Sequence, residues 1–368
     1  MHILLVNQKM FKIYVNYILK KFFIIFFNVS LVFLSLAIVL NIFEEISFFK
    51  NIDSNPLLPY FLTLLNAPIT LFEIFPFIFL ISAQFFFYYL YKNDEILLLK
   101  NNGLSNLKII KILFLSTLSM GLLIIILYYN LSSKLKFVYT DIKNNYTNDN
   151  KYLAVVNSSG LWLKDETNES ILIIKSKNIN NNFLLQVFIN EFDFDFKLKK
   201  TIQADKVNID NKDWILENPI ITKNNVTLKN VDELKFKTNF DDEKIRNLFS
   251  NFSTLHIVEL FDLKKDYENL GYSSDEIQIH ILKLFLSPYL FALMTVFSSI
   301  IMINIKKNKS IFFNIILGIF TSVIIYYFNF IFLSLGNTGK IPPNVSVFLP
   351  VLFLTIISVM GLVRANEK

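Results

Sequence analysis

The chain has no cysteine, and only three histidines among its 368 residues. The first absence excludes disulfides and thiol chemistry. The second leaves little from which to build a zinc site, and His2, His256 and His280 are far apart in sequence. Glycine is scarce too, at eight residues. The nearest approach to a phosphate-binding loop is Gly336-Asn337-Thr338-Gly339-Lys340. Ser334 stands where the first glycine of such a loop belongs, and Ile341 replaces the closing Ser or Thr. Any ATP energy used must therefore be released by a partner, and no residue pattern calls for a cofactor.

What the chain has instead is apolar length. It is 53% hydrophobic with 40 phenylalanines, and its mean hydropathy is +0.46. A water-soluble protein of this size is rarely so apolar. Six uncharged runs can cross a bilayer: Phe22–Phe43, Ile74–Tyr91, Ile112–Ser133, Leu284–Ile305, Ser310–Gly339 and Ile341–Val363. A crossing takes roughly 20 residues at about 1.5 Å each. The second run is the shortest, and Pro59, Pro68 and Pro76 predict a broken entry to its helix. The first run is too long for a signal peptide, and no small-residue cleavage site follows it.

Lysine and arginine give an orientation. Lys9, Lys12, Lys20 and Lys21 precede the first run, and Lys92, Lys100, Lys108 and Lys111 lie between the second and third. Lys306, Lys307 and Lys309 follow the fourth, and Arg364 and Lys368 follow the sixth. The opposite short connections hold only Lys50 and Lys340. The positive-inside rule then puts both termini in the cytoplasm and the long segment Lys134–Lys283 outside. The net charge of +6 thus belongs to loops at a membrane, not to a nucleic-acid-binding surface.

The outer segment reads as short strands from about Tyr152 to Phe240. Phe192-Asp193-Phe194-Asp195-Phe196-Lys197-Leu198 alternates apolar with polar, the pattern of a strand with one buried face. Ser170–Lys175, Phe183–Ile189, Ile202–Ile209, Trp214–Leu216 and Leu234–Phe240 are further strands, set apart by Asn, Asp and Gly. Short antiparallel strands of this kind suggest a sandwich or jelly roll. Leu255, Val258, Phe261 and Leu263 then recur at helix spacing, with Gly271 to stop the helix. Ser273 and Glu276 form a capping box for the next one. The expected division is 1–133 (three spans, with a cytoplasmic loop at 92–111), 134–278 (an outer β-domain and connecting helix) and 279–368 (three spans). The fold class is a polytopic α-helical membrane protein of 3+3 spans with an inserted, jelly-roll-like β-domain.

Polar chemistry is sparse. His256 and Glu259 share a helix face, which reads as ordinary surface polarity. Glu44, Glu45 and Glu73 read as solvated span termini. In the loop after the second run, Asn93 or Asp94 can cap a short helix and Gly103 can end it. Ile96, Leu97 and Leu99 would give that helix an apolar face, suited to a groove in another protein or to simple packing at the membrane surface. Lys134 and Lys136, at the outer end of the third run, either anchor the span or meet lipid phosphates. A proton-driven transporter would need charges inside the spans, and the six runs hold none. A membrane enzyme would need a cluster of bases at the membrane edge. A signalling protein would need a larger cytoplasmic part.

The order of three spans, β-domain and three spans resembles the permease subunits of the lipopolysaccharide exporter, the LptF/LptG family, over nearly the whole chain. The loop Asn93-Asp94-Glu95-Ile96-Leu97-Leu98-Leu99-Lys100-Asn101-Asn102-Gly103-Leu104-Ser105 is similar to the family's acidic, aliphatic, Gly, small loop. Leu161-Trp162 with Lys164-Asp165 is similar to its turn opening the β-domain. Glu191 to Asp193, Ile202 to Ala204 and Trp214 to Leu216 resemble later strands. Ile341-Pro342-Pro343 with Leu349-Pro350 resembles the entry to the last helix, and Phe43-Glu44-Glu45 leans toward the LptG type. The resemblance implies a bacterial inner-membrane permease without its own ATPase site. It implies a cytoplasmic ABC ATPase dimer coupled through Asp94, Glu95, Ile96, Leu99 and Gly103. Its other implied partners are a paralogous permease forming a heterodimer, a periplasmic jelly-roll bridge protein, and lipopolysaccharide held at Lys134 and Lys136. The family places a cation near the end of the first span, where this chain has Asn41.

Overall fold

The computed structural model describes residues 2–144, 146, 161–166, 170–180, 182–223, 226–228, 233–238, 240–242, 245, 251–269, 273–303 and 311–366. Tyr152, Gly271, Ile305, Lys306, Lys307, Lys309, Ser310 and Lys368 lie outside the described residues. The chain packs as two compact units, one of Met1–Lys136 with Asp275–Lys368, the other of Phe137–Ser274.

The first unit is helical. Helices α1 (His2–Phe49), α2 (Leu58–Lys92), α3 (Glu95–Asn101) and α4 (Asn106–Leu123) come first. A π-helical turn, Ile124–Tyr129, joins α4 to α5 (Asn130–Asn144), so the third span runs unbroken. Helices α7 (Asp275–Ile303), α8 (Ile311–Asn337) and α9 (Pro343–Asn366) complete the set. Six stretches are long and apolar enough to cross a membrane: Ile13–Phe49, Leu58–Lys92, Asn106–Lys143, Asp275–Ile303, Phe312–Asn337 and Pro343–Arg364. Helix α2 is continuous, which corrects the broken entry expected at its prolines. Pro59 sits in the first turn, where its missing N–H costs nothing. Pro68 and Pro76 lie inside the helix, as bilayer helices tolerate when neighbours supply hydrogen bonds. The Tyr128 hydroxyl also ties the third span to this helix, donating to the Pro68 carbonyl at 3.0 Å.

Helices α2 and α7 form the centre, and the rings of Phe26, Phe75, Phe79 and Phe291 join α1, α2 and α7. The π turn has a cause in the pattern. Leu113, Thr117, Gly121, Ile125, Tyr129 and Ser133 are buried at every fourth position. A plain helix would rotate that stripe by about 40° per step, and a wider turn takes up the drift. Two helices stop on left-handed glycines, Gly103 at φ +83° and Gly339 at φ +70°. The Leu104 N–H donates to the Leu99 carbonyl at 3.0 Å, and Lys340 repeats this with Leu335 at 3.0 Å. These are Schellman stops, so the Gly336–Lys340 stretch is a helix end.

Among the described residues, the second unit holds an antiparallel sheet of eight strands. They are β1 (Leu161–Glu166), β2 (Ile171–Asn180), β3 (Phe183–Phe192), β4 (Leu198–Asn208), β5 (Asp213–Glu217), β6 (Ile220–Lys223), β7 (Val226–Leu228) and β8 (Glu233–Lys237). The order is β1-β2-β3-β4-β5-β8, with β6 bridging β4 and β7. Strand β4 pairs with β3 along one edge, and with both β6 and β5 along the other. Ile174, Leu184, Val187, Ile189, Val207, Trp214 and Leu216 make its core. Trp214 donates to the Phe240 carbonyl at 2.8 Å. The hydroxyl of Thr238 donates to the buried Asp165 at 2.7 Å, tying the first strand to the chain beyond the last. Leu161–Asp165 is thus strand, not the expected turn.

The strand predicted across Phe192–Leu198 is instead a hairpin loop between β3 and β4. Asp193 accepts from the N–H groups of Asp195 at 3.0 Å and Lys197 at 2.7 Å. Phe196 takes φ +58°, and Phe194 and Phe196 are each 61% exposed. After the sheet, a short 3₁₀ turn (Phe252–Thr254) precedes α6 (Ile257–Asn269). The buried members there are Leu255, Leu260 and Leu263, while Val258 and Phe261 face out. His256 opens α6, its N–H bonded to Glu259 at 2.9 Å, the reciprocal half of a capping box. Helix α7 begins at Asp275, directly after Ser273 and Ser274.

Candidate functional site

Two places in the helical unit carry the residues picked out from the sequence. The first is α3, in the connection between the second and third spans. Asp94 precedes it in a left-handed conformation, φ +54°, and its side chain makes no capping bond. Glu95 opens the helix and accepts from the Tyr17 hydroxyl at 2.6 Å, which ties α3 to the start of α1. Gly103 ends the loop as expected from the sequence. The apolar face differs from expectation. Ile96 and Leu99 are buried, each 5% exposed, and face inward. Leu97 and Leu98 point outward, at 54% and 60% exposure. Leu97, Leu98 and the exposed Lys100 thus make up the outer surface of α3.

The second place is a string of polar groups joining the first three spans. Asn41 is buried on α1 and donates to the Thr70 hydroxyl at 3.3 Å. Thr70 donates to the Asn66 carbonyl at 3.2 Å. The Lys136 ammonium donates to Asn66 Oδ1 at 2.7 Å. Two of the three expected substrate residues, Asn41 and Lys136, thus converge on α2. Lys134 is exposed and stands apart from the string. One turn beyond Asn41, Glu45 is fully buried, against the expectation of a solvated terminus, whereas Glu44 and Glu73 are exposed. Asn66, Thr70 and Tyr17 were not picked out from the sequence. The signal for Asn66 was available, since an uncharged polar residue inside a span marks a face turned to other helices.

Beside these, α2, α7, α8 and α9 line a half-open cavity of about 150 Å³. Phe77, Leu290, Ile325 and Val351 supply apolar wall, and the exposed Glu73 and Lys283 supply charge of both signs. Among the described residues, no group of three or more His, Asp or Glu is placed to hold a metal ion. The Tyr129 hydroxyl and His280 Nε2 lie 3.1 Å apart and link the third span to α7.

Six apolar spans, of which four helices line the cavity, define a polytopic membrane protein. The particular family follows from comparison. Residues 16–364 match the profile described as lipopolysaccharide export system permease LptF/LptG, and the chain belongs to that family. Its members are permease subunits, which makes this chain a multi-pass inner-membrane protein. No curated protein matches it.

Proposed function

We propose that the chain extracts lipopolysaccharide from the inner membrane and passes it to a bridge protein outside, driven by an ATPase bound at α3. The family match over residues 16–364 is the observation that carries this reading. The polar string supports a role in headgroup binding, because it presents Lys136 at the end of the bundle from which the β-unit is inserted. Lys134, exposed beside it, offers a second cation for phosphate. The surface of Glu95, Leu97 and Leu98 suits a groove in the ATPase. A paralogous permease would complete the cavity; the sequence patterns Phe43-Glu44-Glu45 and Ile341 to Pro350 lean to the LptG type.

The cations around the spans orient the protein with α3 and both termini cytoplasmic. A single cysteine at Asn182 should react with an impermeant thiol reagent, and one at Asn102 should not. The reverse labelling would overturn the orientation. The function itself is tested by purification in mild detergent with mass spectrometry of what is retained. An ATPase and lipopolysaccharide together support it. A solute-coupled chain with neither would reject it.

A further inference from the structure

A groove of about 280 Å³ opens between α4, α7 and α9, on walls that share no residue with the cavity described above. Ile110, Phe114, Leu293 and Val359 make most of it apolar. Two features are polar and point to a ligand. Lys111 is exposed and lines one end. Ser358 also lines the groove, only 2% exposed, and its hydroxyl has no hydrogen-bond partner.

Ser30 and Ser298 are likewise without a partner, but of these three hydroxyls only that of Ser358 lines the groove. Ser82, Ser287, Ser299 and Thr355 each donate to the carbonyl four residues earlier, at 2.6–2.7 Å. Ser358 does not, and a buried hydroxyl without a partner is unfavourable. Thr355, one turn away, is already paired with Tyr289 at 3.1 Å. The groove therefore holds one donor in need of an acceptor, and one cation in need of an anion.

Size decides the occupant. A cavity of about 150 Å³ takes a benzene-sized molecule, so this groove takes a stretch of one acyl chain. A helix with its side chains is about 10–12 Å wide and does not fit. Lys111 lies about 7.5 Å along the helix from Asn106, and Ser358 about 12 Å from the α9 end at Asn366, one lipid-headgroup step deeper. The cation and Ser358 are thus near the same membrane face, where a lipid's phosphate and ester carbonyls sit. We infer that this groove binds one chain of an anionic phospholipid of the surrounding bilayer. Its phosphate pairs with Lys111, and an ester carbonyl accepts from Ser358.

The inference does not depend on the transport reading, and its test needs neither ATP nor added lipopolysaccharide. The full chain, purified in mild detergent, is titrated with phosphatidylglycerol or phosphatidylethanolamine and examined by native mass spectrometry. Wild type should retain one phosphatidylglycerol in preference to phosphatidylethanolamine. Lys111→Glu should weaken that retention at least about fivefold, since a surface cation contributes about 1 kcal/mol toward anionic lipid, and Lys111→Arg should keep it. Because Lys111 is exposed, folding of these variants is not at stake. A second measurement uses Ser358→Cys, the only thiol the chain would then carry. Phosphatidylglycerol should slow its maleimide labelling about tenfold, an effect that Lys111→Glu removes. Equal retention of both lipids, retention indifferent to Lys111→Glu, or labelling unaffected by phosphatidylglycerol would each overturn the assignment. So would lipopolysaccharide recovered in the groove.

Discussion

Helices α2 and α8 are alike in composition and unlike in setting. The apolar window of α2 has a hydropathy of 2.0 and is 56% buried; that of α8 has 2.1 and is 17% buried. The same contrast separates α7, 61% buried, from α1, 17% buried. Apolarity therefore says that a segment leaves water, and says nothing about what it meets there. Small polar residues do distinguish the two classes. Helix α2 buries Thr63, Asn66, Ser82 and Gln84, and α7 buries Ser287, Thr295, Ser298 and Ser299. A polar side chain in lipid needs a partner, so it accumulates on helices surrounded by other helices.

The largest expected effect breaks this contrast where the two kinds of helix touch. Gln84 donates to the carbonyls of Asn314 at 3.2 Å and Ile315 at 3.4 Å. It fits because Gly318 has no side chain, a Cβ there lying only 1.8 Å from Gln84 Nε2. Gly318→Leu should destabilise the protein by about 1–3 kcal/mol through overpacking. Phe320→Leu, at an exposed position on the same helix, should change stability by less than about 0.5 kcal/mol. Thermal unfolding in detergent reads both, and equal effects would remove the distinction between the faces of α8.

The second prediction sets Lys136 against Lys134. Lys136→Ala should cost about 1.5–3 kcal/mol, the scale of a charge-assisted hydrogen bond, because it strips Asn66 of its donor. Lys134→Ala should leave stability within about 0.5 kcal/mol and weaken only phosphorylated-lipid binding. Reversing both to Glu should abolish crosslinking of that lipid to the purified complex. Undiminished crosslinking would reduce both lysines to anchors.

The smallest effect concerns the β3–β4 loop. Phe196→Gly should stabilise the second unit slightly, by no more than about 1 kcal/mol, because glycine adopts φ +58° freely. Asp193→Ala should cost about 1 kcal/mol, since it removes both loop hydrogen bonds. Opposite signs for the two variants in urea titration are the outcome that supports the loop geometry.

This loop also shows where sequence reasoning stops. The six spans were legible because length and the absence of charge are enough to specify them. Asp193-Phe194-Asp195-Phe196 alternates as a strand does, yet its exposed rings have nothing to pack against. The alternation encoded a turn held by Asp193. Burial of Glu45 was hidden for a similar reason, since a carboxylate's environment is set by neighbours remote in sequence. In α3, four consecutive apolar residues left the inward face undetermined. The fold settled it, since α3 packs against α2 and buries Ile96 and Leu99. Gly103 was legible as a helix stop. The π turn had no signature beyond a buried stripe stretched to every fourth residue, visible only once burial is known.

The central claim is that work enters this permease through the surface of Glu95, Leu97 and Leu98. Glu95→Lys reverses the charge there and adds repulsion to any basic partner; loss of one partner in a buried interface pair costs about 2–5 kcal/mol. The β-unit should still fold. The direct measurement is ATPase co-purification with Glu95→Lys, together with ATP-dependent release of lipopolysaccharide from proteoliposomes. The account predicts an inserted, stable permease that loses the ATPase or leaves its hydrolysis without lipid release. Wild-type behaviour in both assays would contradict it.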